Sequence, residues 1–229
     1  MTPENHEPIA SRLDVHLLDP FWPSERVYEA CMAARGMQVR AVVVRPTDLE
    51  QALHWLSGTG ITVASTAGYP YGATSTAVKL YELRDLLRIG AKEVEFYLSP
   101  ARLVSRQFQH LETELMQAAK SCHESGARLT VVYSSSHLSD DLKIISTKVC
   151  RRTEVDVISV DGGEAELTLL TPLLKDVLQL KLATPAASLE DALAARTAGY
   201  RSMAVLDPAP ILREEKERLQ SQAQQALRA

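Results

Sequence analysis

The 229 residues carry 25 Lys and Arg against 29 Asp and Glu, a formal net charge of −4, which excludes the basic footprint of a nucleic-acid binder or of a protein held on an anionic membrane surface. A hydrophobic content of 45% and a charged content of 24% are those of an ordinary globular chain and exclude intrinsic disorder. No apolar run reaches the roughly 18 residues of a membrane span.

The first strand candidate is LDVHLL (13–18), after the polar stretch MTPENHEPIAS, which lacks the basic start and apolar run of a signal peptide. VRAVVV (39–44), TVASTA (62–67) and EVEFYL (93–98) follow, then RLTVVYS (128–134), DVISV (156–160), QLKLA (179–183) and SMAVL (202–206). Helical spacing fills the intervals. In TSTAVKLYELRDLLRIG, for instance, Val78, Leu80, Tyr81, Leu83, Leu86 and Leu87 recur at three and four residues. Gly90, Gly126 and Gly199 stand where helix C-caps belong. Cys31, Cys122 and Cys150 lie far apart without CxxC spacing, which predicts reduced thiols in a cytoplasmic protein.

Eight strand–helix units repeating about every 27 residues predict a single α/β domain, a (β/α)8 TIM barrel over 1–229. Residues 1–11 are read as a polar N-terminal extension and 209–229 as a C-terminal helix. A doubly wound open sheet shares the alternation, but no GxGxxG turn follows the first strand. In a barrel, chemistry sits at the C-terminal ends of the strands, and only every second strand residue faces the interior.

The run STAGYPYGATSTAVK (65–79) resembles the third strand and loop of deoxyribose-phosphate aldolases through Gly68, Tyr69, Pro70, Gly72, Ala73 and Lys79. LDVHLLDP, RAVVVRP, GAKEVEFYL and ASLEDALAARTAG are similar to further segments of that family in the same register. The resemblance implies a class I aldolase without cofactor. A sixth-strand lysine would form a Schiff base, a seventh-strand lysine would lower its pKa, a fourth-strand acid would move protons, and glycine turns after strands six to eight would hold phosphate. Set on that pattern, Lys181 falls on the seventh-strand lysine, Glu95 on the fourth-strand acid and Asp14 on the first-strand acid, while Ser159 stands at the Schiff-base position. Serine cannot form an imine. Gly162 and Gly163 keep a glycine turn, Thr184 and Pro185 replace two glycines, and Asp161 and Asp207 bring the wrong charge for a phosphate. Arg45, Gly162, Gly163 and Thr184 are the candidate substrate-binding residues.

Two functions stay open. One is a binding or regulatory relative without aldolase turnover, in which Lys181 pairs with Asp14 or Glu95 to keep the interior neutral. The other is a carbon–carbon lyase of altered range, in which Lys181 forms the imine and Glu95 shuttles protons. Either would take a small carbonyl or sugar-like ligand, and the resemblance is compatible with a homodimer. Ser159 could also act with His16 or His137, although no GxSxG elbow is present. His16, Glu95, Asp161, Asp207 and His137 lack metal-ligand spacing, so no metal is expected. Tyr69, Tyr71, Tyr97 and Tyr133 are candidates to line a ligand mouth, and Ser134–Ser136 reads as a loop.

Overall fold

A computed structural model describes residues 7–174 and 177–226. Eight parallel strands close in sequence order: β1 (Leu13–Leu17), β2 (Ala41–Val44), β3 (Thr62–Ala67), β4 (Glu93–Tyr97), β5 (Arg128–Val132), β6 (Val157–Val160), β7 (Gln179–Leu182) and β8 (Ser202–Val205), with β8 pairing back onto β1. Around them run α1 (Ser24–Met37), α2 (Leu49–Trp55), α3 (Thr76–Ile89), α4 (Pro100–Val104), α5 (Phe108–Glu124), α6 (Asp140–Arg152), α7 (Glu164–Leu174), α8 (Leu189–Ala198) and α9 (Ala209–Ala226). The expected (β/α)8 barrel is what forms.

Strand alternation divides the chemistry. Val15, Leu17, Val94, Phe96, Leu129, Val131, Ile158, Val160, Leu180 and Met203 point outward and make one large apolar cluster with the inner faces of the helices. The register aligns the alternate residues across neighbouring strands, Thr66 with Glu95, Glu95 with Thr130, and Ser159 with Lys181. Their side chains fill the barrel, whose interior is therefore largely polar, with Leu18, Val43 and Ala64 forming a small apolar cluster within it.

Part of the expected N-terminal extension is structural. Residues 1–6 lie outside the described residues, but Ile9–Arg12 forms a 3-10 turn with Ile9 and Ala10 buried. The Ile9 N–H donates to Glu215 Oε1 on α9 at 3.0 Å, which gives a buried backbone donor its acceptor. Among the described residues no helix is long and apolar enough to cross a membrane. The three cysteines are free and buried, and burial pushes each thiol up to about 12.

Candidate functional site

Among the described residues Lys181 is the only lysine on a strand, and it is fully buried. An ammonium has three N–H bonds, and here all three have acceptors. Glu95 Oε1 lies at 2.6 Å, Asp14 Oδ2 at 2.7 Å and His16 Nε2 at 3.2 Å. Accepting at Nε2 leaves the His16 proton on Nδ1. Burial alone disfavours the ammonium, but the Asp14 and Glu95 carboxylates outweigh it and hold the amine well above its ordinary 10.5. Reciprocally, burial disfavours the Glu95 and Asp14 carboxylates, yet both are kept below their ordinary 4.5 and 3.8, chiefly by Lys181, with Arg40 helping Asp14.

The network continues towards the barrel floor. Arg40, at the leading end of β2, grips Asp14 through Nε and, at 2.6 Å, through Nη2, and reaches Glu93 Oε2 through Nη1 at 3.0 Å. Thr130 Oγ1 donates to Glu93 Oε1 at 2.7 Å and Ser202 Oγ to Asp14 Oδ2 at 3.1 Å. Two cations thus sit among three buried carboxylates, each with hydrogen-bond partners, which is the condition for tolerating charge away from water. The sequence placed Asp14, Glu95 and Lys181 together; it did not announce Arg40, Glu93 or the clasp on His16.

Ser159 is buried opposite Lys181 in the β6–β7 ladder. Among the described residues neither His16 nor His137 bonds to it: His16 faces Lys181, while the His137 Nδ1 lies against Ser134 and Ser136. Tyr97, two residues beyond Glu95 on β4, continues the interior side of that strand towards the mouth, and Tyr69 meets it edge-on at 5.3 Å between centroids. Burial, then the nearby Glu95 charge, pushes the Tyr97 phenol up. Both rings line a mouth cleft of about 690 Å³ that also takes in His16, Trp22, Arg26 and Asp207. Tyr71 is exposed and Tyr133 is buried, so only two of the four tyrosines line this cleft.

The loops after β6 and β7 border a second cleft of about 650 Å³, lined by Asp161, Gly162, Gly163, Thr184, Pro185 and Tyr200 among others. Asp161, Glu164 and Asp191 contribute to its wall, and among the described residues no Lys or Arg does. Gly162 and Gly163 do not take the left-handed backbone that a glycine turn uses. Gly162 is needed for space instead, because a Cβ there would meet the Glu166 carboxylate. Thr184 Oγ1 donates to the Asp161 carbonyl at 3.0 Å. Asp207 caps α9 through Ala209 N at 2.9 Å. Arg45 is engaged locally, with Asp48 Oδ2 at 2.5 Å, Asp19 O at 2.9 Å and Trp22 O at 3.1 Å, and so pins the loop after β1. Among the described residues no three His, Cys, Asp or Glu side chains gather as a metal site.

Beneath the β3 loop, sequence inspection missed a second buried pair. Lys79 Nζ lies 3.1 Å from Glu114 Oε1 and donates to the Tyr97 carbonyl at 3.0 Å, tying α3 and α5 to the end of β4. Its signal was a lysine on the α3 face that also carries Leu80, Leu83 and Leu86.

No family model matches the chain. A deoxyribose-phosphate aldolase of Bacteroides thetaiotaomicron is 25% identical over 195 residues, covering 82% of each chain. That of Microcystis aeruginosa is 26% identical over 214 residues, covering 91% of this chain and 94% of the relative. Among solved structures, an aldolase called QR15 superposes with a TM-score of 0.85 at 19% identity, covering 92% of this chain and 96% of its own. The tetrameric deoxyribose phosphate aldolase of Aeropyrum pernix gives 0.83 at 23% identity, covering 91% of each. Barrel, interior charge cluster and relatives define an aldolase-type (β/α)8 protein. Within that class the chain is similar to deoxyribose-phosphate aldolases.

Proposed function

We propose that this chain is a member of the family without Schiff-base turnover, a barrel kept as a binding or regulatory protein. The observation that carries the reading is the Lys181 ammonium, whose three N–H bonds are spent on Asp14, Glu95 and His16. A nucleophilic amine needs a free lone pair, and two carboxylates at hydrogen-bond distance oppose its release. Ser159 supplies no amine from β6, and the cleft where a phosphate would be held has an acidic wall. In this reading Lys181, Glu95 and Asp14 form a structural charge cluster, and Arg45, Gly162, Gly163 and Thr184 shape the mouth. Its occupant is a small carbonyl or sugar-like molecule admitted to the His16–Tyr69–Tyr97 floor. The tetramer described for the Aeropyrum pernix relative supports self-association, which sedimentation of the purified chain measures.

The lyase reading in which Lys181 forms the imine would require that amine to lose its proton against Asp14 and Glu95. The test between the two is retro-aldol cleavage of deoxyribose 5-phosphate by the purified protein, followed through acetaldehyde release. No turnover above a heat-denatured control is expected. Cleavage that disappears in Lys181→Met would overturn the proposal.

A further inference from the structure

We propose that the loop Ser134–Ser136 is a binding site for tetrahedral oxyanions of the phosphate or sulfate kind, which the chain fills with its own Asp161 carboxylate. Four donors from three consecutive residues converge on that one carboxylate. Ser135 Oγ at 2.5 Å and the Ser136 backbone N–H at 2.9 Å point at Oδ1. Ser134 Oγ at 2.7 Å and Ser136 Oγ at 2.8 Å point at Oδ2. An ionised carboxylate accepts about four hydrogen bonds, so Asp161 is saturated by this loop alone. Because the Ser134 and Ser136 hydroxyl protons are spent on Asp161, their oxygens face the His137 Nδ1, at 3.3 Å and 3.1 Å, as acceptors. The imidazole N–H therefore turns both hydroxyls towards the carboxylate.

Three hydroxyls and a backbone amide aimed at one anion form an oxyanion cradle. The occupant is clamped from both sides. Thr184 Oγ1 holds the Asp161 carbonyl at 3.0 Å, and Tyr200 Oη donates to the Gly162 carbonyl at 2.9 Å. Ser134 and Ser136 are exposed, so a dissolved anion reaches the cradle directly from solvent once the tethered carboxylate is removed. The inference rests on this loop and not on the reading of Lys181, so its failure leaves that reading standing.

The experiment is isothermal titration of inorganic phosphate, and separately of sulfate, into wild type, Asp161→Ala and Asp161→Ala/Ser136→Ala at constant ionic strength. Wild type is expected to show no saturable binding. Asp161→Ala is expected to bind both anions at least about tenfold tighter than wild type, and Ser136→Ala to cancel most of the gain. A folded Asp161→Ala protein that binds neither anion, or wild type that binds as tightly as the variant, would overturn the proposal. Should Asp161→Ala not fold, the Ser136 backbone amide resonance of wild type is followed through a phosphate titration. A fixed resonance agrees with a filled cradle, and a saturating shift contradicts it.

Discussion

Replacing Lys181 by methionine separates a structural ion cluster from a catalytic amine. Methionine keeps the length and apolar stem of the side chain but deletes its charge. Asp14 would retain Arg40 and Ser202, whereas Glu95 would be left with the His16 ring, whose Nε2 lies 3.4 Å from Oε1, and no full counter-charge. A carboxylate with 1% of its side chain exposed would then lack its main counter-charge. Breaking a buried pair in this way costs about 3–5 kcal/mol. Total stabilities of domains run to roughly 5–15 kcal/mol, so the loss is large and corresponds to a fall in Tm of roughly 6–20 °C at this chain length. Urea unfolding followed by far-UV circular dichroism, with Trp22 and Trp55 fluorescence as a second probe, measures it. The companion variant Lys181→Met/Glu95→Leu removes both charges and is expected to recover most of the loss. A Lys181→Met protein within about 0.5 kcal/mol of wild type would refute the structural role. Failure of Glu95→Leu to rescue would show that the cost is not an orphaned carboxylate.

Ser159→Lys restores an amine to β6 but sets it beside the Lys181 ammonium while the acidic cleft stays unchanged. Acetaldehyde release from deoxyribose 5-phosphate is expected to stay at background, and robust kcat/KM from that single change would show that the phosphate turns have been misread. The folded pKa values of Glu95 and Asp14 are depressed, so their stabilisation is complete above the ordinary 4.5 and is lost as pH falls through the folded values. Lys181 is raised, so its contribution is complete below the ordinary 10.5 and is lost as pH rises through the folded value. Urea midpoints should therefore be flat from about pH 5 to about pH 8 and fall on the acid side, and also on the alkaline side where unfolded thiols ionise and the three buried ones do not; a steady decline across neutral pH would contradict these directions. Gly162→Ala would press a methyl group on the Glu166 carboxylate and is expected to destabilise by about 1–3 kcal/mol, measured by the same unfolding curves; a neutral effect would mean that this contact yields freely.

The barrel was legible because its strands alternate visibly. In EVEFY and QLKL the apolar members meet the helices and Glu93, Glu95, Gln179 and Lys181 turn inward, so parity assigned the interior before any coordinates. Strand ends were less legible. Val39 and Arg40 read as β2, yet the Arg40 N–H is used by the Ala10 and Leu13 carbonyls, and pairing with the neighbouring strands begins at Ala41. Within the site, Asp14, Glu95 and Lys181 could be gathered because each sits on a strand with a fixed register. Arg40 reaches the cluster from a loop, through a long side chain whose direction no spacing encodes. The Asp161 clasp joins two loops 25 to 27 residues apart, so a serine run and an aspartate that looked merely unfavourable for phosphate turned out to be one unit. Gly162 read as turn chemistry, but its reason is the bulk of Glu166 packed against it, which only tertiary structure supplies.

Imine formation at Lys181 is the event the proposed reading excludes, and borohydride trapping observes it directly. The purified protein is incubated with acetaldehyde and with deoxyribose 5-phosphate, reduced, digested, and the peptide spanning Lys181 weighed by mass spectrometry. The geometry of Asp14, Glu95 and His16 around Nζ predicts an unmodified peptide at neutral pH. A stoichiometric reduced adduct on Lys181 would contradict it.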